Sequence, residues 1–257
     1  MTLKTFGLFL VIALLFSCAK KPARKEQSIP ISGIDSSNGF DTSRGLRNAN
    51  SFNQISTTPN AIILTGINNV RLFSIYKIRN EQDRNIAYTE GTSYNDYADD
   101  EKDFKYFMPG IDIIHGYNLV NIGHYRLDKD SLSWFFERPV LIKTLYFPGV
   151  RKDSLNKQPV SRNFFLISVY NEDTNNDSLI SNKDLRRFFF IDELNKTKIS
   201  LLPNDYSAIR SSYDYNNDIM FIHARQDVNR NGSLEPAEPV SIFWIKLYNP
   251  KMIRKII

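Results

Sequence analysis

The chain has one cysteine, Cys18, and only three histidines among its 257 residues. A single cysteine excludes an intramolecular disulfide. The histidines, His115, His124 and His223, are far apart, and none belongs to the closely spaced pattern of a zinc site. A nucleophile elbow, a phosphate-binding glycine loop and a dinucleotide fingerprint are also missing from the sequence. These absences favour a binding or structural protein over an enzyme.

Long apolar runs are equally scarce. The longest, residues 6–16, follows Lys4 and is too short to cross a bilayer core of about 30 Å as a helix, but it is typical of a signal peptide. It ends in Leu15-Phe16-Ser17-Cys18, which resembles the lipobox of bacterial lipoproteins. The resemblance implies that residues 1–17 are removed and that Cys18 is acylated. The alternative is ordinary secretory cleavage, with Cys18 incidental.

Residues 18–57 are rich in Lys, Arg, Ser, Asn and Gly and poor in large apolar side chains, which predicts a flexible tether. Its basic residues nearest the proposed anchor are suited to anionic lipid head groups: Lys20, Lys21, Arg24 and Lys25. Loss of Lys4 with the signal peptide lowers the formal charge from +5 to +4. No Lys/Arg stripe interleaved with aromatic residues is present in the sequence, so we expect no nucleic-acid partner.

The most informative motif is DVNRNGSLEPAE, residues 227–238. Its oxygen-bearing residues occupy positions one, three, five, seven, nine and twelve of an EF-hand-type loop: Asp227, Asn229, Asn231, Ser233, Glu235 and Glu238. Gly232 is at position six, where the backbone must turn sharply. Because Ca²⁺ prefers six to eight oxygen ligands, the spacing predicts a calcium site. The alternative is a polar connection that binds nothing.

A second, poorer copy is DTNNDSLISNKD, residues 173–184. Its predicted ligands, in the same order, are Asp173, Asn175, Asp177, Leu179 through its carbonyl, Ser181 and Asp184. Ser178 replaces the glycine, and Asp184 replaces the longer closing glutamate. A serine at positive φ costs about 1 kcal/mol or more, so this loop should bind calcium more weakly. The alternative is a repeat-derived loop that has lost its metal.

Short apolar runs rich in aromatic and β-branched residues flank both loops, at 164–170, 188–191, 219–222 and 240–245. They predict buried strands rather than the helices of an EF-hand. Residues 173 onward also align without a gap on residues 227 onward. The turn SYDYNND, residues 212–218, followed by its apolar strand, resembles the repeats of TolB-type β-propellers. The resemblance implies a propeller-like fold and a binding role, and it supplies no catalytic residue.

Upstream, residues 62–65 with 70–76 and residues 117–127 with 132–136 predict two hairpins. They suggest a third, degenerate unit in which the acidic segment 90–103 replaces the calcium loop. That segment is either a solvated loop or a further cation or aromatic binding surface. Two clear units and one or two degenerate ones allow a small ring or an open stack.

We therefore expect residues 58–257 to form one all-β domain of propeller-like repeats of short antiparallel strands, with calcium-loop insertions between strands. The expected function is a calcium-binding lipoprotein held by acylated Cys18 in the cell envelope, at the outer membrane of a Gram-negative bacterium. It would act as a binding or scaffolding module for an envelope protein or a glycan. Two alternatives are a calcium-dependent hydrolase of envelope material or glycans and a purely structural envelope component.

Overall fold

The computed structural model describes residues 28–30, 55, 57–78, 108–116 and 118–257. Within these ranges the regular structure is entirely β, as predicted, and no helix is present that could cross a membrane. The first eight strands are β1 (Ser28–Pro30), β2 (Thr57–Leu64), β3 (Val70–Lys77), β4 (Ile111–His115), β5 (Leu119–Arg126), β6 (Ser131–Trp134), β7 (Leu141–Pro148) and β8 (Asp153–Leu155). The others are β9 (Gln158–Val160), β10 (Phe164–Tyr170), β11 (Leu179–Ser181), β12 (Arg187–Asp192), β13 (Lys198–Ser200), β14 (Tyr206–Asp214), β15 (Ile219–Gln226), β16 (Val240–Lys246) and β17 (Asn249–Lys255).

Three antiparallel sheets make up most of the domain. The first sheet has the order β2-β3-β5-β6, the central sheet β4-β7-β10-β12-β13, and the last sheet β14-β15-β16-β17. Two small pairs, β1-β11 and β8-β9, lie outside them. The two hairpins predicted upstream are confirmed, because β2 pairs with β3 and β5 pairs with β6.

The sheets are stacked in the order first, central, last. One core lies between the first and central sheets and includes Leu72, Ile122, Leu145, Phe165 and Ile167. The other lies between the central and last sheets and includes Leu166, Phe190, Met220, Ile222 and Ile245. The central sheet therefore contributes side chains to both cores.

This layering explains two different sequence patterns. Strand β10 in the central sheet is buried at every position except its last, because both of its faces are covered. Strand β15 in the last sheet alternates between buried and partly exposed residues, because only one face meets the core. A continuous apolar run thus marks the middle layer, and an alternating one marks an outer layer.

The two aligned units fold alike around their loops. In the first unit, β10 pairs with β12 and β12 with β13. In the second, β15 pairs with β16 and β16 with β17. In the first sheet, the acidic segment 90–103 falls between β3 and β5, which is the equivalent place in the strand order. The segment itself lies outside the described residues.

Part of the predicted tether packs against the domain. Ser28–Pro30 forms β1 and pairs with β11 inside the first loop. Ile29 is only 4% exposed and packs in one apolar cluster with Ile55 and Ile180. Lys77 Nζ donates a 2.6 Å hydrogen bond to the carbonyl oxygen of Ser28. Two apolar side chains of the predicted tether, Ile29 and Ile55, are therefore packed against the domain. Residues 1–27, including Cys18, lie outside the described residues.

A buried ion pair joins the central and last sheets. Arg162, before β10, donates two hydrogen bonds of 2.6 and 3.0 Å to Asp218 in the β14–β15 turn. The side chains of the two residues are only 4% and 10% exposed. Tyr213 donates a further 2.9 Å hydrogen bond to Asp218, and burial together with this carboxylate raises the pKa of the tyrosine.

We predict that Asp218→Asn lowers the free energy of unfolding by about 3 kcal/mol, because the guanidinium of Arg162 would remain buried without a countercharge. Asparagine keeps the side-chain size and tolerates the φ of 53° at this position. The measurement is urea unfolding of the purified protein. Asp128→Asn, which removes the partly exposed partner of Arg126, is the matched control and should change stability little. Equal losses for the two variants would contradict the prediction.

Candidate metal centre

The two predicted calcium loops occupy equivalent places in adjacent sheets. Loop one, residues 173–184, connects β10 to β12, and loop two, residues 227–238, connects β15 to β16. Each therefore joins the second and third strands of its unit. The structure places all twelve predicted metal ligands in these two connections.

Loop two is folded by short side chains that accept hydrogen bonds from its own backbone. The N–H of Asn231 donates to Oδ1 of Asp227 (3.1 Å) and to Oδ1 of Asn229 (3.0 Å). The N–H of Gly232 donates to Oδ2 of Asp227 (2.9 Å), and that of Ser233 donates to Oδ1 of Asn231 (2.8 Å). Positions one, three and five thus hold a tight turn.

Loop one contains the same four hydrogen bonds. The N–H of Asp177 donates to Oδ1 of Asp173 and of Asn175, both at 3.1 Å. The N–H of Ser178 donates to Oδ2 of Asp173 (2.9 Å), and that of Leu179 donates to Oδ1 of Asp177 (3.0 Å). The turn is therefore repeated bond for bond, although only one of the two loops has the glycine.

The carboxylate at position twelve closes each loop in the same way. Glu238 accepts hydrogen bonds from the N–H groups of positions two and nine of loop two, at 3.0 and 3.3 Å. Asp184 accepts them from positions two and nine of loop one, at 2.7 and 2.8 Å. The shorter aspartate thus reaches across its loop. Asp184 is fully buried, and this burial raises its pKa although the surrounding N–H groups oppose the shift.

Both loops turn through the left-handed region at positions four and six. In loop two these are Arg230 (φ 57°) and Gly232 (φ 72°), and in loop one Asn176 (φ 58°) and Ser178 (φ 66°). The positive φ expected for Ser178 is therefore present. Asparagine tolerates this conformation, whereas the Cβ of serine is strained in it.

Oxygen-bearing side chains converge inside loop two. The amide groups of Asn229 and Asn231 lie 3.3 and 2.6 Å from the carboxylate oxygens of Glu235. Each of these two amide oxygens already accepts one backbone N–H, and each has a second lone pair. Positions three, five and nine can therefore offer three oxygens to one cation, and such oxygen donors fit Ca²⁺.

In the part of the chain that the structure describes, no group of three Asp, Glu, His or Cys side chains is arranged to hold a metal. In loop two, the side chains and their hydrogen bonds agree with this finding. Positions three and five of loop two are asparagines, and the carboxylates of Asp227 and Glu238 accept backbone hydrogen bonds. Calcium ligation here would depend on amide and carbonyl oxygens as well as on carboxylates.

Two of the histidines have the surroundings of packed side chains. His124 is fully buried against Phe135 and Phe165, and its Nε2 lies 2.9 Å from the carbonyl oxygen of Glu193. Burial lowers the pKa of His124. Burial, with a smaller effect of a nearby lysine, lowers the pKa of His115 to about 4. Both imidazoles are therefore neutral near pH 7. Nδ1 of His115 lies 3.4 Å from Oγ1 of Thr144.

Sequence reasoning missed Thr174, at position two of loop one, which contacts both loops. No spacing rule gives this position a role, because it is not a ligand in an EF-hand-type loop.

The chain matches no protein-family model, and neither the curated proteins nor the solved structures contain a match to it.

We predict that Ser178→Gly raises the free energy of unfolding by up to about 1 kcal/mol, because glycine adopts φ 66° without the strain of a Cβ. Asn176→Gly is the matched control, since asparagine at φ 58° is already tolerated and both side chains are exposed. The measurement is thermal unfolding in the presence of a chelator. A gain for Asn176→Gly as large as that for Ser178→Gly would contradict this explanation.

Proposed function

We propose that this protein is a calcium-binding module whose two loops are ordered by Ca²⁺. The observation that supports the proposal is the repetition of one hydrogen-bonded turn in both loops, down to the two left-handed positions and the closing carboxylate. The two units align as repeats, and both loops keep these six hydrogen bonds. A common requirement for the same arrangement of oxygens accounts for their retention in both loops.

Charge favours a cation in loop two. Asp227, Glu235 and Glu238 place three carboxylates on one twelve-residue turn, and like charges at such separations repel one another. A bound divalent cation converts the repulsion into attraction. Loop two has the unstrained glycine and the longer closing side chain, so it is the tighter of the two proposed sites.

We further propose that the protein is a lipoprotein of the bacterial cell envelope, at the outer membrane, anchored by acylated Cys18. The lipobox-like end of the apolar run supports this, as does the lack of any other cysteine. The last sheet is a four-stranded meander, and the first and central sheets follow the same order apart from β4 and the small strands outside them, which supports a propeller-like scaffold. Its role would be to bind or organise an envelope protein or a glycan.

We predict that millimolar Ca²⁺ raises the melting temperature of the protein relative to the same sample with chelator. At 100 times the dissociation constant, binding to one site stabilises the folded state by about 2.7 kcal/mol. Mg²⁺ should act poorly, because its small, rigid octahedron does not suit a loop closed by a bidentate glutamate. The measurement is thermal unfolding supported by calorimetric titration.

The control for this prediction is a pair of variants. Asp227→Ala should remove most of the calcium-dependent shift, whereas Asp128→Ala, which removes a carboxylate from the β5–β6 turn, should leave it unchanged. Superimposable melting curves with and without calcium, together with no heat of binding, would disprove the calcium proposal.

We predict that a fatty-acid analogue added to growing cells labels the protein, and that Cys18→Ser abolishes the label and releases the protein from the membrane fraction. The physical reason is that several acyl chains on one residue give stable anchoring. Ser36→Thr, which lies outside the lipobox-like segment, is the matched control and should keep both the label and the membrane retention. Membrane retention of the Cys18→Ser protein without label would show that something other than lipid at this residue holds it.

A further inference from the structure

The two loops are in direct contact through Thr174. Its hydroxyl donates a 2.5 Å hydrogen bond to the carbonyl oxygen of Gly232, at position six of loop two. The same hydroxyl accepts a 2.8 Å hydrogen bond from the N–H of Leu185, directly after loop one. Thr174 also donates its backbone N–H to the closing carboxylate of Asp184. One residue therefore links the closing carboxylate of loop one to the turn of loop two.

Backbone packing reinforces this link. A Cβ on Gly232 would lie 1.8 Å from the carbonyl oxygen of Thr174, a distance that no side chain can occupy. Two facts therefore require glycine at position six: its φ of 72°, and the close approach of the neighbouring loop, which leaves no room for a Cβ. The backbone of loop two cannot change here without a change in loop one.

A second strip of contacts joins the end of loop one to the middle of loop two. Asp184 and Ser233 form an isolated antiparallel β-bridge, and the N–H of Leu234 donates to the carbonyl oxygen of Lys183 at 3.3 Å. Ser233 is at position seven, whose carbonyl is a ligand in EF-hand-type loops. Asp184 is the closing residue of loop one. Groups expected to bind two different ions therefore lie on paired residues.

We propose that the two loops bind Ca²⁺ cooperatively, with Thr174 as the residue that couples them. This inference rests on the proposed calcium-binding function. An ion in loop one fixes the Asp184 carboxylate and the backbone of position two, and this fixes the turn and the position-seven carbonyl of loop two. The second ion then meets a loop whose ordering cost is already met. Electrostatic repulsion between two bound divalent ions would weaken the binding of the second ion. A positive coupling would therefore show that the ordering of the loops outweighs this repulsion.

The test is calorimetric titration of the full-length protein, purified in detergent, with Ca²⁺. Asp173→Ala disables loop one and Asp227→Ala disables loop two, so each variant reports the other loop alone. For independent sites, the product of the two binding constants of the unmodified protein equals the product of the two single-loop constants. We expect it to be larger by a factor of at least about five, the lower end of typical coupling.

Thr174→Val should reduce this factor to about one, because valine keeps the shape but loses the hydroxyl's hydrogen bonds to Gly232, Leu185 and the Asp184 carboxylate. Thr174→Ser keeps the hydroxyl and should retain most of the coupling. Thr58→Val removes a hydroxyl whose hydrogen bond is exposed and local, and should change nothing. A factor of one or less in the unmodified protein would overturn the coupling and leave the calcium proposal standing. An absence of binding in every chain would overturn both.

A second measurement does not depend on the folding of the Thr174 variants. In the Asp227→Ala protein, calcium bound to loop one should slow hydrogen exchange of the Leu234 amide, which donates across to Lys183. If loop one binds calcium and the exchange rate of this amide does not change, the contact does not transmit the ordering of loop one to loop two.

Discussion

Burial of the central sheet on both of its faces is the constraint on which the rest of the structure depends. Successive residues of β10 alternate between two cores, with Phe165 and Ile167 packing towards the first sheet and Phe164 and Leu166 towards the last. Separation of either outer sheet would expose one apolar face of β10 to water. The stacking also sets neighbouring units face to face, so the connections that follow β10 and β15 emerge beside each other. The contact between the two loops is therefore a result of how the sheets pack.

The sequence was most predictive where one strand or one turn decides the conformation. The apolar run 164–170 corresponds residue for residue to β10, since aromatic and β-branched side chains covered on both faces leave a continuous signal. The positive φ of Ser178 followed from its place in a known loop spacing. The addition of β4 to the central sheet, across the intervening β5 and β6, was not predictable. Neither was the role of Thr174, because contacts between loops depend on tertiary packing.

The loops also explain why asparagine replaces aspartate at positions three and five of loop two. What the turn requires there is a short side chain with an oxygen that accepts a backbone N–H, and an amide oxygen does this as well as a carboxylate. The substitution lowers the negative charge on the turn without loss of the turn itself. A carboxylate at these positions would add repulsion to Asp227 and Glu235 whenever no cation is present.

If Cys18 is acylated as proposed, the pairing of β1 with β11 limits how far the domain can stand from the membrane. A free tether from Cys18 to β2 would allow a reach of roughly 135 Å, at about 3.3–3.6 Å for each fully extended residue. Because Ser28 is paired at the rim of loop one, only nine residues lie between it and Cys18, and the ten steps from Cys18 to Ser28 span roughly 35 Å at most. An anchor at Cys18 would therefore hold this edge of the protein towards the lipid head groups. The opposite edge would then face outward, and a large partner would have to approach from that side.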